Sequence, residues 1–471
     1  MANSAAPSGN SGRETKAGSL TLAAVAAPAM PLAAMTLPLT IFLPEYYATH
    51  IGMNLSLVGI LFTIVRIADL FFDPLVGNLI DRTSSRFGPY KPWLLFGAPI
   101  VMGGAWMLFM AQRGVGGTYL ATALIVTYAG YSILTLAQMG LASAVTRAYS
   151  ERSRVFAWWQ LFNMSGILLI LLLPLAYTSF TGDNSRTPVQ AMGWMVMATA
   201  PITVAICLFL VPSGNRPEAG HNISLSGFLD LVRLKSARRV LGSVAMTGLG
   251  FGVASAIFVF FFTTVKDISS ERFTLMLALG FSVAVISSPF WAWFGNRIGK
   301  HRALAVGCIG SALYLLLALV MPPGDLTFMI GIFILNGFSN CAGDVMPRAM
   351  IADVSDEDRL LSGNDRTGML FALLAIVIKL GQAIAIGVVF VALDMIGFDA
   401  AAGRDNSAGA LTGVSILYCI VPALFQFAAA WFAWRYPLTA ERHAEILEEL
   451  DGQAQASAAP LPDAAIEQVP I

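Results

Sequence analysis

Charged residues are scarce in this chain. Asp, Glu, Lys and Arg make up 12% of its 471 residues, whereas they make up about 25% of an average soluble protein. Hydrophobic residues make up 56%, and the mean hydropathy is +0.71. Basic and acidic residues balance at 28 each, so the net charge gives no indication of a nucleic-acid partner. The composition excludes an ordinary soluble domain and predicts an all-α protein that crosses a membrane many times.

Cysteine and histidine are also scarce, with four of each. Cys207, Cys308, Cys341 and Cys419 stand far apart in apolar segments without a CxxC pair, which indicates neither a metal site nor a disulfide framework. The sequence lacks the HExxH, GxSxG and phosphate-loop patterns of common enzyme classes. We therefore expect no cofactor and no enzymatic activity.

Twelve apolar stretches are long enough to cross a bilayer, which takes about 20 residues. The predicted spans cover residues 20–46, 55–80, 92–112, 118–146, 155–179, 190–211, 238–265, 273–295, 302–322, 326–352, 368–397 and 409–434. The predicted organisation is a disordered tail (1–18), a first six-helix bundle (19–212), a middle loop (213–237), a second six-helix bundle (238–436), and an amphipathic helix followed by a disordered tail (437–471).

Lys and Arg collect on one side of the predicted spans. The turns that follow even-numbered spans carry sixteen of them, and the loops on the other side carry five. Because basic residues collect in cytoplasmic loops, we expect both termini to be cytoplasmic, in a plasma (inner) membrane. We expect a monomer whose partners are the lipid bilayer and a small-molecule substrate.

Three of the few charged residues inside the spans share one stretch. Arg66, Asp69 and Asp73 are three and four residues apart in span 2, so they lie on one helical face. A charge near the bilayer centre costs roughly 2.5 to 3.5 kcal/mol on insertion scales, and such residues usually act in a protein interior or watery cavity. Two carboxylates a turn apart favour either a proton on one of them or a sodium ion between them. In the structural alternative, Arg66 and Lys379 of span 11 merely neutralise the acids.

Span 10 contains a second pair of charges. Asp344 and Arg348 are four residues apart, which suits either an i,i+4 ion pair or contact with substrate, and both interpretations stay open. Pro347 lies between them and weakens the local backbone ladder, as suits a helix that lines a cavity.

Two motifs carry a family resemblance. Residues 66–93 read RxxDxxxDP…G…DRTxSRFGxYKPW, and residues 350–359 read MIADVSDEDR. Over about residues 20–450 the chain resembles the glycoside-pentoside-hexuronide:cation symporter family of the major facilitator superfamily. The resemblance implies a major facilitator fold of twelve transmembrane helices in two six-helix halves. It also implies symport of a sugar, glycoside or sugar acid with H+ or Na+ by alternating access.

The resemblance assigns roles to particular residues. The implied cation-coupling residues are Asp69 and Asp73, which would hold H+ or Na+, with Thr135, Lys379 and Arg66 beside them. The turn after span 2 resembles the superfamily's gate motif, with gate candidates Asp81, Arg82, Arg86 and Lys91. The candidates for substrate contact are Gln138, Trp159, Gln160 and Asn163 in the first half and Asn340, Asp344, Arg348 and Gln382 in the second.

The chain departs from the family pattern at several of these positions. Phe72 replaces an asparagine beside the second acid, which removes an oxygen ligand for sodium and favours a proton. Gln138, Ala142 and Gln160 replace a sugar-binding aspartate, tryptophan and arginine. These changes leave open a second hypothesis, a carrier of an amphiphile such as a lysolipid or glycolipid fragment. A third hypothesis, a sensor that binds without transport, is disfavoured because the sequence has no signalling domain.

Overall fold

The structure, a computed structural model, describes residues 18–83, 85–145, 149–181, 188–212, 225–364 and 366–458. The predicted N-terminal tail up to residue 17, residues 213–224 of the middle loop, residues 459–471 and the side chain of Asp81 lie outside this description. Within the described part, all regular structure is helical and there is no strand.

Twelve helical segments are long and apolar enough to cross a membrane, as predicted. Spans 1 to 12, in chain order, are Ser19–Thr49, Leu55–Arg82, Lys91–Phe109, Gly117–Val145, Tyr149–Thr181, Pro188–Leu210, Lys235–Val265, Ser270–Ile298, Lys300–Val320, Leu326–Ser362, Thr367–Met395 and Ala408–Trp434. A short helix, Leu225–Arg233, precedes span 7, and a C-terminal helix, Ala440–Ala458, follows span 12.

The first span of each half contains a wider, π-helical turn. These turns cover Pro38–Phe42 in span 1 and Phe261–Val265 in span 7, and a third covers Ile416–Ile420 in span 12. In span 1 the cause is visible in the sequence, because Pro38 has no N–H to donate to the preceding turn. Spans 1 and 7 are the first spans of the two six-helix halves, and their matching turns agree with two halves of similar construction.

The bundle has two distinct ends. We call the end where even-numbered spans finish the basic face, because its turns carry Arg82, Arg86 and Lys91. We call the other end, where span 2 begins and span 11 finishes, the opposite face. The two halves pack through span 2 on span 11, span 1 on span 7 and span 5 on span 8.

Spans 2 and 11 pack closely near the opposite face. Gly59 lies against Phe390, and Gly387 lies against Thr63, so neither glycine has room for a methyl group. Asp394, at the end of span 11, accepts a 2.7 Å hydrogen bond from the Ser56 hydroxyl. The halves are therefore tightly joined from the opposite face inward.

Polar side chains at the basic face bond within their own half. Lys91 Nζ donates to the carbonyl of Leu208 at 3.0 Å in the first half. In the second half, Lys300 Nζ lies 2.6 Å from Asp353 Oδ1, and the Arg366 guanidinium pairs with Asp358. These bonds stabilise each half separately.

Candidate functional site

Lys379 lies between the two acids of span 2. Its Nζ is 2.6 Å from Asp73 Oδ2 and 3.3 Å from Asp69 Oδ2. Asp69 and Asp73 lie on one face of span 2 because they are one turn apart, and span 11 presents the lysine to that face. The resulting ion-pair cluster crosses the boundary between the two halves.

One hydroxyl group of span 4 bonds to this cluster, and a second lies one turn further along the same helix. Ser132 Oγ donates a 2.8 Å hydrogen bond to Asp69 Oδ1. Thr135 lies one turn further toward the basic face, in the direction in which Asp73 follows Asp69. Thr135 Oγ1 is buried without a hydrogen-bond partner in the described part of the chain. Two carboxylates with nearby hydroxyl oxygens suit a small hard cation or a proton.

The two carboxylates differ in their access to solvent. The Asp69 side chain is 3% exposed, whereas the side chains of Asp73 and Lys379 are 29% and 31% exposed. Two carboxylates and one ammonium group leave one negative charge in the cluster. Asp73 is the more accessible of the two carboxylates, and Asp69 is the more buried.

Arg66 bonds to neighbours other than the two acids. Its guanidinium donates to the Gln382 side-chain oxygen at 2.9 Å and to the Tyr128 hydroxyl at 3.4 Å. It also lies 5.9 Å from the centre of the Tyr128 ring, within cation–π range. Arg66 therefore joins spans 2, 4 and 11 one turn above the cluster, and Gln382 is engaged in that contact.

Gln138, a candidate for substrate contact, bonds to the backbone of span 1. Its side chain is buried, and its amide nitrogen donates 3.0 Å hydrogen bonds to the carbonyls of Val25 and Ala26. Span 1 is interrupted here, and the Met30 N–H bonds to the Ala27 carbonyl rather than to that of Ala26. Gln138 thus satisfies carbonyl groups that the interruption leaves without a backbone donor.

In span 10, the structure bears on one of the two interpretations that the sequence left open, the ion pair between Asp344 and Arg348. The Arg348 guanidinium donates to the main-chain carbonyl of Asp344 at 2.6 Å, and the two side chains do not form an ion pair. Pro347 lies between the two residues and has no N–H to donate to the Gly343 carbonyl one turn earlier. Both charged side chains are exposed, and Asn340 bonds to Asn336 one turn earlier.

The candidates in span 5 form a polar patch. Gln160 is exposed, and Trp159 and Asn163 are half-buried. The structure leaves all three side chains without a hydrogen-bond partner among the described residues. They are free to contact a solute, but no contact in the structure distinguishes them as a binding site.

Of the gate candidates, the three with described side chains are exposed or make contacts within the first half. Arg82 is exposed, and the Arg86 guanidinium lies 4.7 Å from the centre of the adjacent Phe87 ring. Lys91 makes the bond to Leu208 described above.

Two residues of the site escaped prediction from the sequence. Ser132 and Tyr128 were missed because serine and tyrosine are common in membrane helices and carry no charge. The one available signal is spacing, since Ser132 precedes Thr135 by three residues and therefore shares its helical face.

Comparisons with known proteins place the chain in a family. Residues 24–440 match the family described as MFS/sugar transport protein. A putative glycoside/cation symporter of Escherichia coli, YagG, is 25% identical over 435 residues, covering 90% of this chain and 94% of that protein. The isoprimeverose transporter of Lactiplantibacillus pentosus is 25% identical over 400 residues, covering 81% of each chain.

Among solved structures, the nucleoside transporter NupG matches with a TM-score of 0.63 and 14% identity, covering 89% of this chain and 100% of that one. That likeness concerns the fold alone, and it confirms the predicted major facilitator fold of two six-helix halves. Because the family match spans most of the chain, the protein belongs to the MFS/sugar transport protein family of membrane transporters, as residues 66–93 predicted.

Proposed function

We propose that the protein is a proton-coupled symporter of a small sugar or glycoside. The observation that carries the proposal is the cluster of Asp69, Asp73 and Lys379, in which a lysine of one half pairs with two acids of the other. A coupling cation that binds the acids competes with Lys379 for them. Cation binding would therefore weaken the link between the halves, and that is the change that alternating access requires.

The geometry favours Asp73 as the group that exchanges the cation. Its side chain is 29% exposed, and its 2.6 Å contact with Lys379 is the shorter of the two. Protonating Asp73 removes that ion pair, while Asp69 stays bound to Ser132 and near Lys379. The substrate then binds between the halves before they rock.

A proton fits the side chains better than sodium does. Sodium would draw on oxygens of Asp69, Asp73, Ser132 and Thr135, and the side chain at Phe72 contributes none. A proton needs one carboxylate oxygen and no coordination shell. Because two carboxylates and one lysine leave one negative charge, the uptake of one proton in each transport cycle would neutralise the cluster.

The expected orientation makes the basic face cytoplasmic. The close contacts of spans 2 and 11 near the opposite face would then close the outside, and the structure would represent an inward-facing state. The chain would act in the plasma membrane with both termini inside. A monomer contains the whole proposed site.

The substrate class rests on the relatives. Those compared above include a putative glycoside/cation symporter and an isoprimeverose transporter. Arg348, Asp344 and Gln160 are the exposed polar candidates for contact with hydroxyl or acidic groups of a sugar. The amphiphile hypothesis has no comparable support, because these relatives are not carriers of lipids by name.

The test uses the full chain in proteoliposomes. Uptake of a panel of labelled glycosides, pentosides and sugar acids is measured under an inward proton gradient and, separately, under an inward sodium gradient. We expect at least one sugar to accumulate under the proton gradient alone. Accumulation that requires the sodium gradient would show that sodium, and not the proton, is the coupling ion. Equal uptake without either gradient would contradict symport.

A further inference from the structure

Two arginines flank one exposed tryptophan where spans 7 and 12 meet at the basic face. The Arg239 guanidinium carbon lies 5.1 Å from the centre of the Trp431 ring, and that of Arg435 lies 4.8 Å from the same centre. Arg239 also lies 5.8 Å from the Phe432 ring. Each distance is within cation–π range, so the rings hold both cations in place.

Neither guanidinium has an ion-pair or hydrogen-bond partner among the described residues. A guanidinium has five N–H donors arranged to bind the oxygens of a phosphate group in pairs. The adjacent Arg238 is also exposed and bonds through its main chain alone in the described structure. This cluster is thus a fixed set of cationic donors without an acceptor from the protein.

The Trp431 ring belongs to a continuous apolar stripe on span 12. Leu424, Phe427, Trp431 and Trp434 recur at helical spacing and are 63%, 43%, 47% and 62% exposed. In a membrane protein, an exposed apolar stripe of this length faces lipid tails, and its terminal tryptophans lie at the level of the headgroups. The arginines next to Trp431 therefore lie where lipid phosphates lie.

The packing of spans 7 and 12 fixes this arrangement. Ser243 Oγ donates a 2.9 Å hydrogen bond to the Ala429 carbonyl, which holds the register of the two helices. Gly242 leaves room for the Phe432 ring, since a methyl group at this position would collide with it. The donors are consequently held in place before any ligand arrives.

We propose that Arg239, Arg435 and Trp431 form a binding site for the headgroup of an anionic phospholipid in the leaflet at the basic face. The phosphate accepts hydrogen bonds from the two guanidiniums, and the acyl chains lie along the stripe from Trp431 to Leu424. The bound lipid joins the beginning of span 7 to the end of span 12. The site is separate from the ion-pair cluster, and its existence does not depend on the transported solute.

The test measures lipid binding to the purified full chain in neutral detergent. Phosphatidylglycerol or phosphatidylcholine is titrated in mixed micelles, and bound lipid is counted by native mass spectrometry and by the shift of the thermal midpoint. The variants are Arg239→Gln and Arg435→Gln, with Arg359→Gln as the control, because Arg359 is exposed on the same face of the same half. Inorganic phosphate in place of lipid tests for a soluble ligand.

We expect phosphatidylglycerol to bind more tightly than phosphatidylcholine, and each of the two variants to weaken it about fivefold. Arg359→Gln should bind it as the unaltered protein does. Equal binding by all variants, an equal loss in the control, or equal protection by inorganic phosphate would each overturn the proposal. If either glutamine variant is unstable, Arg239→Lys keeps the charge but loses the planar guanidinium, and we expect an intermediate affinity from it.

Discussion

Two lysine–aspartate clusters in this protein have nearly the same local geometry. Lys379 lies 2.6 Å from Asp73, and Lys300 lies 2.6 Å from Asp353, with 31% and 32% of the lysine side chains exposed. The first pair joins span 11 to span 2, across the boundary between the halves. The second joins spans 9 and 10 within one half. What a charge pair does here depends on the parts that it connects.

The two clusters differ in the elements that their further contacts connect. Asp353 is also 3.6 Å from His443, which lies 2.9 Å from Asp356, so the cluster at the basic face attaches the C-terminal helix to span 10. The boundary between the two halves does not pass through this cluster. The Lys379 cluster instead lies at the boundary between the halves, which suits a site that a cation enters and leaves.

The largest contrast should come from matched substitutions of the two lysines. Lys379→Gln removes the ion pair across the boundary, and we expect uphill accumulation in proteoliposomes to fall to the equilibrium level. Lys300→Gln removes a pair within one half, and we expect it to lower the midpoint of thermal unfolding while accumulation persists. If both variants accumulate substrate equally well, the distinction between the clusters is wrong.

A second contrast uses two tightly packed glycines. Gly387 faces Thr63 across the boundary, whereas Gly307 faces Ala342 within the second half. Gly387→Val should prevent spans 2 and 11 from closing, so amide hydrogen exchange near Phe390 should become faster without a general loss of stability. Gly307→Val should instead lower the free energy of unfolding by about 1 to 3 kcal/mol through overpacking. Identical exchange patterns in the two variants would contradict the assignment of the boundary.

Gln138 tests whether a polar residue inside one half serves packing or substrate. Gln138→Leu leaves the carbonyls of Val25 and Ala26 without their side-chain donor, which should cost about 1 to 3 kcal/mol of stability. The dissociation constant for the transported sugar should stay within about twofold, because the side chain points at span 1. A tenfold weaker sugar affinity at unchanged stability would indicate that Gln138 contacts the substrate. Calorimetry and equilibrium binding separate the two results.

The smallest expected effect is a pH dependence of stability at the opposite face. Burial, with a contribution from the Arg113 guanidinium, lowers the pKa of His50 from its ordinary value of 6.5. The unfolded chain then takes up a proton at a higher pH than the folded protein does. The contribution of His50 to stability therefore falls as the pH drops below 6.5 toward the folded-state pKa.

His50→Gln serves as the reference for this effect. The difference in thermal midpoint between the two proteins should change with pH in that window and stay constant above it. A constant difference at every pH would contradict a lowered pKa in the folded protein.

The sequence could predict the number of spans and the cluster of acids, for reasons of geometry. Span length follows from bilayer thickness, and the spacing of Asp69 and Asp73 places them on one face of a helix. Spacing says nothing about what the next helix presents to that face. Ser132 bonds to Asp69, Tyr128 bonds to Arg66, and Gln138 bonds to the interruption of span 1. These contacts depend on how the helices pack, which the spacing of residues along one helix does not reveal.

The span 10 pair shows the same limit within one helix. The separation of four residues allowed an ion pair between Asp344 and Arg348, but in this helix, which contains Pro347, the guanidinium bonds to the main-chain carbonyl of Asp344 instead. The presence of the proline was readable from the sequence. Which of two acceptors an arginine takes depends on the local bend of the helix, and spacing rules do not contain that bend.

The most direct test of the central claim is Asp73→Asn in proteoliposomes, with downhill exchange and uphill accumulation of one transported sugar measured on the same preparation. Asparagine keeps the size of the side chain but can neither ionise nor attract Lys379 as a carboxylate does. We predict that exchange continues and that proton-driven accumulation is lost. Accumulation equal to that of the unaltered protein would show that Asp73 does not couple the cation to transport.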